Sequence, residues 1–151
     1  SAAYYIAAQA DEVSITESGS VGSIGVFTAH QDISEALKQQ GIKMTLISAG
    51  KHKVEGNQFE PLSDEAFEHI QGRVNESFDQ FVSAVALGRN VSEDVVLGKF
   101  GQGRTFGAEE AVKIGMADRV ETLQQAIARV SRASPPKSRR PRRAGGVAFS
   151  N

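Results

Sequence analysis

Phe67, Ile70, Val74, Phe78, Phe81, Val82 and Val85 succeed one another mostly at steps of three and four residues. An α-helix turns once in about 3.6 residues, so these side chains share one face of one long helix. A helix of that length with a single apolar stripe is marginal alone in water and must lie against another layer. Ser63 stands where a favoured N-cap belongs. Asp64 and Glu65 put negative charge into the positive first turn, and Leu87-Gly88 is the expected close.

The layer for this helix is sought upstream. "EVSIT" (Glu12–Thr16) alternates and is β-branched, which predicts a strand. "ESGSVG" (Glu17–Gly22) has turn chemistry. "SIGVF" (Ser23–Phe27) reads as a short apolar strand whose Gly25 suggests close backbone approach. "QDISEALKQQG" (Gln31–Gly41) places Ile33, Ala36 and Leu37 on one helical face and ends on glycine. "IKMTLIS" (Ile42–Ser48) alternates again. Strand, helix, strand in that order predicts a βαβ unit and an α/β domain. Ala2–Ala8 favours helix, and further helices are expected over Ser92–Leu97, "FGAEEAVKIG" and "ETLQQAIARV".

Composition narrows the chemistry. The 151 residues contain no cysteine, which removes disulfides and thiolate metal sites. His30, His52 and His69 lack metal-ligand spacing and read as surface or loop residues, so no metal or cofactor is expected. No run of apolar residues is long enough for a transmembrane helix. The chain has 17 basic and 18 acidic residues, unevenly placed. Arg132, Lys137, Arg139, Arg140, Arg142 and Arg143 lie in a stretch with no acid. Proline, glycine and arginine without periodicity predict a disordered tail over 131–151, behind a domain of residues 1–130. Such a tail could hold nucleic acid. With no aromatic residue interleaved among the arginines, it is read instead as a linker.

Ser1 heads the first helix, where unpaired N–H groups and the positive dipole end suit either a simple cap or a nucleophile with a nearby oxyanion. A nucleophilic serine needs a base. No histidine is convincingly placed, and a lysine serves only when it is neutral at working pH. "GKHKVEGNQF" offers Lys51 and Lys53 in a glycine-containing loop, which charge alone would read as a solvated basic loop.

"SAAYYIAAQADEV" followed by "GSVGSIGVF" resembles the nucleophile region of the signal peptide peptidase A family of serine peptidases. Ser1, Tyr4, Tyr5, Ile6, Ala7, Ala10, Asp11 and Gly22 to Val26 match its pattern. "GKHKVEGN" resembles the loop that carries the catalytic lysine in single-repeat members. "GQGRTFGAEEAVKIGMADRV" (Gly101–Val120) is similar to the closing pattern of Gly-Arg, a strand, Glu-Ala and Gly-Leu/Met-x-Asp. The likeness covers roughly residues 1–130. Ala2-Ala3 replaces the usual Gly-Gly, and with "VEGN" it resembles the tailed-phage, minor capsid protein C branch more than cellular signal-peptide peptidases.

The resemblance implies a Ser-Lys dyad. Ser1 is the nucleophile and Lys53, which falls at the family's interval from the serine, is the general base. Ser23 orients the lysine, and the Ala2 backbone N–H is an oxyanion donor. It implies a ClpP/crotonase-like fold of stacked βαβ units and a homo-oligomer. In the phage branch it implies a polypeptide substrate such as a scaffold or portal protein, processed in the cytoplasm of the infected or prophage-bearing host. The family's second oxyanion donor and leading strand precede the nucleophile. The expectation is therefore a domain truncated at its N-terminus, poorly soluble or oligomeric and weakly active alone. Three other readings stand beside this one: a cellular signal-peptide peptidase, a non-catalytic assembly module that keeps the fold, and an N-terminal-nucleophile hydrolase using the α-amine of Ser1.

Overall fold

The computed structural model describes residues 1–133. In chain order these form α1 (Ala2–Ala7), β1 (Ser14–Ile15), β2 (Ser20–Gly22), α2 (Ser34–Gln39), α3 (Asp64–Arg89), α4 (Glu93–Lys99), β3 (Thr105–Gly107), α5 (Ala108–Lys113), β4 (Arg119–Val120) and α6 (Leu123–Arg132). The mixture of helix and strand agrees with the expected α/β class.

The helices follow local signals. Ser63, Ser92 and Thr122 each accept a hydrogen bond from the backbone N–H three residues on, capping α3, α4 and α6. At Thr122 the bond is reciprocated by Gln125, whose side chain accepts from the Thr122 N–H at 2.7 Å. α3 runs one residue past the expected Leu87-Gly88 close, to Arg89, and is capped by Asn90 in the left-handed conformation. α6 continues to Arg132, beyond the boundary drawn at 130 from composition. The expected linker, from residue 134 onward, lies outside the described residues.

The sheets depart from expectation. Among the described residues there are two small ladders. β1 and β4 pair in parallel through Ser14–Arg119 and Ile15–Val120, and β2 pairs antiparallel with β3 from Ser20–Gly107 to Gly22–Thr105. The strand falls on Ser20–Gly22, inside the stretch read as a turn, and Ser23–Phe27 carries no ladder. The cause is local. Gly22 has φ +121° and Ser23 has φ 55°, so the chain leaves the sheet there. A Cβ on Gly22 would sit 2.5 Å from the Arg104 carbonyl oxygen. Ile42–Ser48 is not paired as a strand either. Its alternating Ile42, Met44 and Leu46 remain 46%, 44% and 38% exposed. The strand–helix–strand unit expected over 23–48 is therefore not formed as a sheet among the described residues.

One core gathers α1, the C-terminal half of α3, α4 and α5. Tyr4, Ala8, Ile24, Phe81, Val85, Val96, Phe100, Ala111 and Met116 are buried in it. α1 ends directly on α3. A Cβ at Gly88 would lie 2.0 Å from the Ala8 carbonyl oxygen, so only glycine permits this approach. The Gln9 side chain seals the contact by donating to the Ala84 carbonyl at 3.0 Å.

The candidate active site

The serine proposed as nucleophile is set by this core. Tyr4, the fourth residue of the chain, is buried, and its hydroxyl donates to the Met116 carbonyl at 2.9 Å. Burial pushes the Tyr4 phenol up to about 12, against the pull of the Arg89 guanidinium. Tyr4 is thus an anchor that stays protonated, and it fixes the head of α1. Tyr5 points the other way and meets the Phe81 ring edge-on, at 5.1 Å between centroids.

Ser1 is exposed and its side chain makes no cap bond, unlike Ser63, Ser92 and Thr122. Its carbonyl accepts from the Tyr5 N–H at 3.0 Å, which closes the first turn. The N–H groups of Ala2, Ala3 and Tyr4, like those at any helix start, have no intrahelical acceptor. Two cavities flank Ser1. One, about 470 Å³, is bounded by Ser1, Tyr5, Gly25, Phe27, Ser77 and Phe81. The other, about 270 Å³, is bounded by Ser1, Tyr4, Val13, Val21, Gly22 and Thr105.

Ser23 lies in sequence between Gly22, which borders the smaller cavity, and Gly25, which borders the larger. It is half-buried, and its N–H donates to the Arg104 carbonyl at 2.8 Å. A non-glycine residue in the left-handed region costs roughly 1–2 kcal/mol, so the Gly22–Ser23 corner stores strain beside Ser1.

Lys53 lies elsewhere. It is exposed, in a loop closed by turn bonds such as Lys53 N–H to the Gly50 carbonyl at 3.1 Å. It borders neither cavity beside Ser1, and among the described residues no hydrogen bond joins it to Ser1 or Ser23. Its neighbour Lys51 pairs with Glu65 at 3.0 Å, which holds the Glu65 carboxyl below its usual range. Ser1 thus shares one cavity with Ala2 and Gly25 and the other with Gly22, and Lys53 borders neither.

Two groups escaped the sequence reading. The first is the Arg89–Asp118 pair. Arg89 Nη1 and Nη2 each donate to Asp118 at 2.9 Å, while Arg89 Nε donates to the Gly115 carbonyl. The Val13 N–H donates to Asp118 at 2.7 Å, so the pair locks β1 beside the end of α3. The Asp of the closing Gly-Met-x-Asp pattern was visible, but its partner was not. The second is Asn57 with His30, whose Nε2 lies 2.8 Å from the Asn57 carbonyl oxygen. "GKHKVEGN" marks the lysine loop and "VEGN" the branch, but nothing in either motif gives Asn57 a task. Among the described residues no cluster of His, Asp and Glu is arranged to hold a metal ion.

The sequence model of peptidase family S49 matches residues 1–134. The chain belongs to peptidase family S49. The matched range of this S49 chain takes in every element from α1 to α6. Capsid assembly protease C of Escherichia phage lambda is 34% identical over 127 residues, 84% of this chain and 28% of that protein. Head-tail preconnector protein GP5 of Enterobacteria phage P21 is also 34% identical over 127 residues, 25% of its length. A protein of Methanocaldococcus jannaschii named as a protease is 36% identical over 127 residues, 40% of its length. The S49 chain therefore spans well under half of these relatives. No helix among its described residues is long and apolar enough to cross a membrane.

Proposed function

We propose that the chain carries the nucleophile and the base of a Ser-Lys serine endopeptidase of the phage capsid-maturation type. The observation that carries the reading is the hydroxyl of Ser1. It heads a helix, makes no cap bond and borders two cavities, while the three comparable cap hydroxyls are all engaged. The relatives from lambda and P21 support the setting, a polypeptide substrate such as a scaffold or portal protein in head assembly. That setting is the cytoplasm of an infected or prophage-bearing host.

In this mechanism Ser1 Oγ gives its proton to Lys53 Nζ and attacks the scissile carbonyl. The Ala2 N–H donates to the oxyanion as it forms. The intermediate collapses to an acyl-serine, and the leaving amine takes its proton from Lys53. A water molecule, deprotonated by Lys53, then releases the acyl group and restores Ser1. Ser23 accepts from Lys53 and sets its direction. Because Lys53 stands in solvent here, the reading has the dyad closing between copies of the chain in a homo-oligomer with a ClpP/crotonase-like fold. The neighbouring copy would supply the dry surroundings a neutral lysine needs.

A second reading is a non-catalytic assembly module, favoured by the exposure of Lys53 and its absence from both cavities beside Ser1. A serine-directed fluorophosphonate tests between them on the complete natural protein. The dyad reading expects the adduct on Ser1 in peptide mapping; an unmodified Ser1 under conditions that label a control serine peptidase supports the assembly module.

A further inference from the structure

We propose that Asn57, aided by His30, is a positioning residue that fixes the Lys53 loop to the extended segment leading from Ser23. The inference rests on the dyad reading above, since it assigns a task to the loop that carries the proposed base.

The loop has little else to hold it. Its turn bonds are long, 3.1 Å from the Lys53 N–H to the Gly50 carbonyl and 3.2 Å from the Glu55 N–H to the His52 carbonyl. Lys51–Glu65 ties the loop to the first turn of α3, but these side chains are 75% and 64% exposed. An exposed pair of this kind contributes about 0–1 kcal/mol. His52–Glu55 lies within the loop itself.

Asn57 is different in kind. Both hydrogens of its amide are used, one on the Val54 carbonyl at 2.8 Å and one on Glu60 Oε1 at 2.6 Å. Its Oδ1 accepts from the Phe59 N–H at 2.8 Å. A single planar group thereby fixes the backbone next to Lys53 and the chain beyond it. The carbonyl of the same residue meets His30 Nε2 at 2.8 Å, where a carbonyl can only accept, so Nε2 carries the hydrogen. His30 donates there whether neutral or charged, so the tie persists across the pH range in which a lysine base works. Ile33 N–H, donating to the Gln58 carbonyl at 2.9 Å, adds a second backbone tie to the same segment.

The test is Asn57→Asp in the complete natural protein, with fluorescein-labelled casein as substrate. The carboxylate keeps the size and still accepts from Phe59, but it cannot donate to Val54 and it faces the Glu60 carboxylate. The expected result is a fall in kcat of about ten- to a hundredfold, the scale set by a small misplacement. KM and Tm stay near the parent's. Adding Glu60→Gln restores a donor and part of kcat, and Glu65→Gln leaves kcat unchanged. A parental kcat in Asn57→Asp, beside an inactive Lys53→Ala, overturns the positioning role alone. A fall in kcat that follows a lowered Tm and is not relieved by Glu60→Gln also overturns it. Parental activity in Lys53→Ala overturns the dyad, and the positioning role with it.

Discussion

The two halves of α3 come from one apolar stripe and meet different surroundings. In the C-terminal half, Phe81, Val82, Val85 and Ala86 are buried against α1, α4 and their neighbours. In the N-terminal half, Phe67 is 56% exposed, and Ile70 and Val74 are only half-covered. Phe27, which borders a cavity with Phe67, Ile70 and Val74, is 90% exposed as well. Periodicity states which face of a helix is apolar; it does not state where along the helix a partner lies. The proposed nucleophile borders a cavity with Phe81 of the packed half, and the loop of the proposed base is tied by Lys51 to Glu65 in the open one.

Substituting one phenylalanine in each region breaks the comparison most sharply. Phe100 is fully buried and Phe27 is 90% exposed. Phe100→Ala should cost about 3–5 kcal/mol in denaturant unfolding, from lost burial and the cavity left behind. Asp118→Asn comes next. It leaves Arg89, whose side chain is 7% exposed, without its counter-charge and with one acceptor oxygen in place of two. We expect a loss of about 1.5 kcal/mol, the low end for bonds to a charged group, because water reaches Asp118.

Acid sharpens the same contrast. Arg89 holds the Asp118 carboxyl below its usual range, and Arg129 with Ser14 brings Glu121 down to about 2. A carboxylate depressed on folding stabilises the native state above its unfolded value and loses that contribution as pH falls through the folded one. For Glu121 the window runs from 4.5 down to about 2. Tm should therefore fall across that window, and less steeply in the Asp118→Asn/Glu121→Gln double variant. The smallest effect is expected at Phe27→Ala, within about 0.5 kcal/mol. A larger loss there would mean that the open flank is packed in solution.

What could be read in the sequence follows the range of each signal. Caps at Ser63, Ser92 and Thr122 and the stripe on α3 are written within a few residues, and the helices appeared where those signals stand. The ladders are only two or three residues long, and pairing depends on which segment lies opposite. The alternation of Ile42–Ser48 could not reveal that its apolar side would stay uncovered. The strand at Ser20–Gly22 was hidden in turn chemistry because Gly22 ends it rather than interrupting it. Arg89 and Asp118 find each other across α4, β3 and α5, with nothing local to announce the pair. At the site, Ser1, Ala2, Ser23 and Lys53 came from motif resemblance. The unspent Ser1 hydroxyl, the strained Ser23 corner and the Asn57 amide came only with coordinates.

The most direct measurement is casein hydrolysis by the complete natural protein carrying Lys53→Ala. The Ser-Lys account predicts activity at background, with the fold and Tm retained because Lys53 is exposed and outside the core. Hydrolysis at the parental rate would contradict it.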